Sequence, residues 1–316
     1  LFPEQVGGAL DNLSGELHAA TPLALVESSR YVRDAALSRA VGARSPEDDA
    51  SQATGAWVQA IGGNGKLDGN ANTARTESNT SGLLVGIDHG FGGWNVGLLL
   101  GNGRTDTRQA QGRSAKARID SNHVGLYAGH AWGGFGLRGG LGYARHDIDT
   151  ERQIAFAGFS EGANASYDAT TRQAFIEAGY RFGGVQGGLE PYLQVARVEV
   201  DVDDVRENGG ASALSGSVAD TATTVATAGV RFDKGLKAAF QQDAWLHLTG
   251  GVGYRRASGD RDGRADLGFA GGSTFAVSGA PIADSAVVAE LGLSAWLTPR
   301  QQLELGYNGQ FGDESR

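Results

Sequence analysis

No cysteine occurs anywhere in this chain. That suits a reducing cytosol, and it equally suits a chain that crosses an oxidising periplasm before folding, where an unpaired thiol would be a liability. Long apolar runs are missing too. The longest, such as AVVAELGL, fall well short of the roughly 20 residues a membrane-spanning helix needs. Helical spans are therefore excluded, but a membrane β-barrel is not, because its lipid-facing residues are interleaved with lumen residues and leave hydropathy weak. A basic stripe is also lacking, and the formal net charge of −9 argues against a nucleic-acid partner. The first residues, LFPEQVGG, have neither a basic nor an apolar leader region. Read alone, they fit either a cytosolic protein or the C-terminal part of a longer precursor.

Glycine is abundant at 51 of 316 residues and proline sparse at 6, while 20% of residues are charged. Such a composition is neither collagen-like nor disordered. From about residue 54 onward, strand signals repeat to the end. Eleven strands are predicted near 55–62, 80–90, 94–104, 119–132, 135–147, 169–182, 188–201, 220–232, 243–256, 285–298 and 301–311. The connections alternate in length. HGFGG, GG, GGVQG and LTPRQ are tight, whereas 63–79, 105–118, 148–168, 202–219 and 257–284 are long and polar. Short turns on one side and long loops on the other are the pattern of an up-and-down outer-membrane barrel.

The strands also sort by face at period 2. One face carries Val96, Leu98, Leu100, Val124, Leu126, Leu141, Tyr143, Ile176, Tyr180, Val252, Tyr254, Leu291, Leu293, Leu303, Leu305 and Tyr307. The other mixes glycine with charge: Asp88, Arg138, Glu177, Arg181, Glu190, Arg231, Arg255, Glu290 and Glu304. In water the apolar face would be the core of a soluble sandwich, the competing reading. In a membrane the assignment inverts: the apolar face meets lipid and the charged residues line a wet lumen. Trp57, Trp94, Trp132, Phe135, Phe182, Phe232, Trp296 and Phe311 lie near strand ends, where interfacial girdles belong. The expected fold is an all-β transmembrane barrel with one helix before it.

That helix is TPLALVESSRYVRDAALSRAV, residues 21–41. Thr21 reads as its N-cap and Pro22 as its first residue. Glu27, Arg30 and Asp34 share one side, Arg33 lies between Val26 and Leu37, and no broad apolar stripe emerges. A helix polar nearly all round needs solvent or polar walls. A lumen lined with Arg138, Glu177, Arg181, Arg231, Arg255 and Glu290 would supply them, making Glu27, Arg30, Arg33 and Asp34 the expected lumen contacts. The helix C-terminus must then reach the short-turn end before the first strand.

Chemistry is sparse. An independent outer-membrane pore or a surface hydrolase is the alternative; His146-Asp147, at the outer end of a strand, suggests a rim site for the hydrolase, but no serine partner is visible nearby. Asp260, Asp262 and Asp266 lack the rest of a calcium loop. Gly101-Asn102-Gly103 falls inside a strand rather than ahead of a helix. No catalytic residue, metal ligand set or cofactor motif is assigned.

LSGELHA at 13–19, SSRYVRDAAL at 28–37, RHDIDTERQIAFAGFSE at 145–161 and YDATTRQAFIEAGYRF at 167–182 resemble the β-domains of type V autotransporters. So do LEPYLQVARVEVD at 189–201, GGASALSGS at 209–217 and ELGYNGQFG at 304–312. The AIDA-like group, often found behind subtilisin-like protease passengers, is the nearest in kind. What the resemblance implies is a 12-stranded outer-membrane barrel threaded by one helix, with 1–20 as the end of a passenger or linker, 21–45 as lumen helix and 55–316 as translocator. It further implies lipid, the barrel-assembly machinery, periplasmic chaperones and a covalently linked N-terminal passenger as partners, and a monomeric state. Family members end on one more strand than the eleven read here. Some family members cut their own pore helix with a helix Asn, and residues 22–41 contain none.

Overall fold

The computed structural model describes residues 10–40, 54–69, 73–109, 114–156, 158–184, 187–237, 245–298 and 301–312. A 25-residue helix, α1 (Glu16–Ala40), precedes the strands. Six strands then run in succession: β1 (Thr54–Leu67), β2 (Thr76–Phe91), β3 (Trp94–Gln109), β4 (Ser114–Trp132), β5 (Phe135–Phe156) and β6 (Phe159–Tyr180). After the short β7 (Phe182–Gly184) come β8 (Gly187–Val202), β9 (Val205–Arg206), β10 (Asn208–Gly209), β11 (Leu214–Val218), β12 (Thr221–Lys237) and β13 (Trp245–Gly259). The series closes with β14 (Arg264–Phe269), β15 (Phe275–Ser278), β16 (Ser285–Thr298) and β17 (Gln301–Gly312).

The main sheet takes the order β1-β2-β3-β4-β5-β6-β8-β12-β13-β16-β17, all neighbours antiparallel, which matches the eleven strands expected. It curls around α1. Among the described residues, β1 and β17 are its two edges.

The strands run farther than the sequence pattern suggested. Residues 148–168, expected to be a loop, continue β5 and β6 as a hairpin closed at Gly158, whose φ of 85° suits glycine. The reason is a change in what the outer face touches. Along β4 that face reads Leu126 and Val124, then Asn122, Asp120, Arg118 and Lys116. Along β3 it reads Trp94, Val96, Leu98 and Leu100, then Asn102, Arg104, Asp106 and Arg108. The alternation of facing persists while the outward residues turn from apolar to charged, so a rule keyed to hydrophobicity ends the strand too soon. Trp94 to Leu100 covers about 20 Å along the strand at ~3.4 Å per residue, with the aromatic Trp94 included, a length of the same order as the ~25 Å apolar band of an outer-membrane barrel before strand tilt is allowed for. Above it, Arg104–Asp120, Arg118–Asp106, Lys116–Glu151 and Arg145–Asp168 pair on the exposed face.

The girdle is partly as expected. Trp94, Trp132, Phe135, Phe182 and Phe232 are exposed at the short-turn end, with the Trp94 and Trp132 rings 6.0 Å apart. Phe311 is exposed at the opposite, long-loop end of β17. Trp57 instead points inward and donates from Nε1 to the Tyr127 hydroxyl at 2.8 Å. The side chain of Trp296 lies outside the described residues.

The loops 203–220 and 260–284 are not merely polar connections. They contribute a second sheet, β15-β14-β11-β9, laid over the long-loop end of the lumen. Leu214, Leu267 and Ile282 from these segments are fully buried against Leu23, Leu25 and Val26 of α1 and against Ile119, Ile148, Tyr167, Val198 and Val200 of the wall.

Helix α1 starts earlier than expected. Ser14, not Thr21, stands at its head: Ser14 Oγ accepts from the Glu16 N–H at 3.4 Å, and Gly15 at φ 67° makes the bend. Thr21 and Pro22 lie inside the helix, with Thr21 Oγ1 bonding the Leu17 carbonyl at 2.9 Å. Pro22 removes one helical N–H, a loss offset by tertiary packing around Leu17, His18, Ala19 and Ala20, all buried. Val41 and the remainder of the expected 21–45 segment lie outside the described residues.

Candidate functional site

The lumen and its occupant are the candidate site. The lumen wall is not simply polar, and α1 is less uniformly polar than its wheel suggested. Its apolar side chains are met by two apolar tiers. The upper one is the cluster beneath the second sheet. The lower one brings Val32, Ala35, Ala36, Leu37 and Ala40 against Leu84, Leu99, Tyr127, Phe175 and Ala196. Leu84, Leu99 and Tyr127 alternate with glycines on the inward parity, and Phe175 stands between Gln173 and Glu177, so in sequence they read as gaps in a polar face. At Gly129 a Cβ would fall 2.3 Å from the Ala40 carbonyl oxygen, and at Gly63 2.1 Å from the Tyr31 hydroxyl. The helix passes because these positions are bare.

Polar contacts are set between and beyond the tiers. At the long-loop end, His18 Nε2 donates to Glu207 Oε1 at 2.8 Å, and its Nδ1 lies 3.0 Å from the Tyr167 hydroxyl. Arg152 grips both Glu207 oxygens at 2.7 Å and reaches the Asn12 carbonyl at 2.8 Å. Burial alone would raise the Glu207 carboxyl; the hydrogen bonds and charges of Arg152 and His18 overcome it and hold the group at about 2. At mid-height, Arg255 donates to Glu27 at 2.8 and 3.2 Å, and Gln310 bonds both. At the short-turn end, Arg39 donates to Asp88 Oδ2 through Nε at 3.0 Å and Nη2 at 2.8 Å, while Asn95 caps the Arg39 carbonyl at 2.7 Å. A cation in the last turn also suits the helix dipole.

Of the four helix residues expected to contact lumen charges, Glu27 meets Arg255. Asp34 instead accepts from Asn308 at 3.0 Å. Arg33 is buried beside Gln173 Oε1 at 3.5 Å, and its Nε has no hydrogen-bond partner among the described residues. Arg30 folds back onto Tyr31 of its own helix, at 5.0 Å from the ring centre.

Most of the expected wall residues serve one another rather than the helix. Glu177 is the hub, with a fully buried side chain. It accepts from Arg231 at 2.6 and 2.8 Å, from Gln194 at 3.1 Å, and pairs with Arg138 at 3.1 Å. Arg138 also pairs with Glu190, and Arg231 with Glu290 at 3.3 Å while lying over the Tyr192 ring. Arg181 pairs with Asp233 near the short-turn rim, and Glu304 is exposed at the level of Ser294. Opposite charges from adjacent strands and from strands two apart thus tie the wall together.

Sequence reasoning missed His18, Arg39, Arg152, Glu207 and Asp233. Arg39 was within reach, since it shares the expected helix and Asp88 stands on the inward parity. His18 and Glu207 are separated by 189 residues, and nothing local links them.

The rim hydrolase loses its pair. His146 turns into the wall between Ser121 and Thr171, each at 2.8 Å, whereas Asp147 is exposed on the opposite face. Asp260 is spent on the Ala222 N–H at 3.0 Å, and Asp266 lies in β14.

Residues 56–308 match the autotransporter β-domain family model. Two extracellular serine proteases of Serratia marcescens are 32% and 31% identical over 308 residues, covering 96% of this chain and 29% of each relative. The chain thus spans under a third of the curated relatives it matches. Among solved structures, the translocator domain of the autotransporter NalP from Neisseria meningitidis superposes with a TM-score of 0.64 at 20% identity, covering 93% of this chain and 95% of that one. The β-domain of the Bordetella autotransporter BrkA gives 0.60 at 22% identity, covering 83% and 94% respectively. The transport unit of AIDA-I from Escherichia coli gives 0.62 at 15%, covering 96% and 94%. With its curled sheet, its occupied lumen and a family match over most of its length, the chain belongs to the autotransporter β-domains, the integral outer-membrane translocators of type V secretion.

Proposed function

We propose that this domain carries the segment preceding it through the outer membrane and then holds that segment's C-terminal end in its own lumen. The observation that carries the reading is the course of α1. Its C-terminal turn rests on Asp88 and Asn95 beside the short turns, and its N-terminal end is held by Glu207 and Tyr167 among the long loops. Short turns are periplasmic and long loops extracellular in such barrels. Whatever precedes the helix therefore lies outside the cell.

The passenger reading follows from the same geometry and gains support from the serine-protease names of the Serratia relatives. Residues 1–20 would close the passenger or linker, the helix would plug the lumen, and residues from about 55 would form the translocator. Glu27, Arg33, Asp34 and Arg39 would hold the plug. Lipid, the barrel-assembly machinery and periplasmic chaperones are the expected partners of a monomeric barrel. The domain itself would supply passage and anchorage rather than catalysis.

Conductance tests the plug. In planar bilayers, the barrel lacking residues 1–45 should conduct ions several-fold better than the intact chain. Equal conductance would contradict a plug.

A further inference from the structure

We infer that α1 carries a position code, read at three heights of the lumen, that stops the exported chain at one register. This inference rests on the export reading above. The tether from Ala40 to Thr54 of the first strand bounds how far the chain can travel but does not select one turn, because successive helical turns present similar cylinders to the wall. The apolar tiers supply only part of that selection. An outward turn exchanges Leu23 for Val26, Val32 for Ala35 or Ala36, and Leu37 for Ala40, all small or aliphatic, although an inward turn sets Arg33 or Asp34 in the place of Leu37.

The polar contacts are different. His18 meets Glu207 and Tyr167, Glu27 meets Arg255 and Gln310, and Arg39 meets Asp88. From His18 to Arg39 is about 32 Å at ~1.5 Å per residue, so the three readers span the lumen. A slip of one turn outward sets Arg30 or Tyr31 at the level of Arg255 and Thr21 or Pro22 at the level of Glu207. An inward slip puts Leu23 or Ala24 opposite Arg255, Ala35 or Ala36 opposite Asp88, and Ser14 or Gly15 opposite Glu207. Outward movement brings two arginines together; inward movement leaves Asp88 and Arg255 facing hydrocarbon. Both leave buried charges without their partners, the condition that costs most. A match is met at one position only, where all three are satisfied at once.

The wall readers are held ready beforehand. Arg152 fixes Glu207 from β5, the Tyr127 hydroxyl donates to Asp88 at 3.1 Å, and Gln310 bonds Arg255. Each can wait in place while the chain moves past.

The absence of cysteine from this domain makes position measurable. In the full precursor, displayed in the outer membrane of intact cells with any cysteine outside this domain replaced by serine, single cysteines replace Leu10, which is 63% exposed, or Ala19, which is fully buried. The probe is a membrane-impermeant maleimide. With the code intact, Leu10→Cys labels and Ala19→Cys is protected. Glu27→Arg should raise the labelling rate at Ala19→Cys by about tenfold or more, as the helix loses its single position. Adding Arg255→Glu, which restores the pair with reversed sign, should return the protection. Failure of Glu27→Arg to change labelling, or of the reversed pair to restore protection, would overturn the code. Absence of labelling at Leu10→Cys in the otherwise unaltered precursor would instead contradict the outward course of α1.

Discussion

Glu177 shows how this molecule keeps charge inside a wall. Two guanidinium groups and an amide converge on a carboxylate with no exposed surface, so removing it strands Arg138 and Arg231 rather than deleting one contact. Glu177→Ala should therefore destabilise the barrel by about 3–5 kcal/mol, read as a lower urea midpoint of the barrel folded in detergent. Glu207 behaves differently because it lies above the membrane and its proton balance is open to bulk pH. Its folded-state value, about 2, is below the ordinary carboxylate value, so its contribution to stability is full above about pH 4.5. The contribution falls as pH drops through the range down to about 2. Acid titration of the intact protein should leave the long-loop end ordered at pH 5 and loosen it below about pH 4. In Glu207→Gln that acid-induced change should be smaller, with hydrogen exchange at residues 205–218 as the measurement.

At the scale of elements, Gly129 sets the seat of the helix end. A side chain there would meet the Ala40 carbonyl, so Gly129→Val should displace the last turn of α1 and raise single-channel conductance above that of the parent barrel. The strands themselves were legible, because facing and loop parity both survive in one sequence. Their outer ends were not, since charges such as Asp149 and Glu151 look like loop although they alternate with Ile148 and Thr150. The helix was legible as an isolated oddity but not in its extent. Thr21-Pro22 carries a stronger local start signal than Ser14-Gly15, and burial of Leu17 to Ala20 overrides it. The polar lumen was half right: Leu84, Leu99 and Tyr127 are single large residues among glycines, Phe175 is one between Gln173 and Glu177, and only the helix beside them shows that they form a tier. The contacts of His18 and Arg152 with Glu207 depend on loops folding back over the mouth, which no periodicity announces.

The whole molecule is a sorting of surfaces between three surroundings: lipid outside, an occupied lumen inside, and water above the charged rows. The boundary on β4 falls between Val124 and Asn122. Leu126→Arg, in the apolar band, should cost ~2–4 kcal/mol of folding stability in lipid vesicles, whereas Asn122→Arg should stay within about 1 kcal/mol. That contrast between positions four residues apart on one strand measures the band directly. The central claim, that this barrel delivers what precedes it to the cell surface, has its most direct test in a short epitope placed immediately ahead of Leu1 in the full precursor. On intact cells antibody should bind the epitope and added protease should remove it, with the barrel left in the membrane. An epitope reached only after the outer membrane is permeabilised would contradict it.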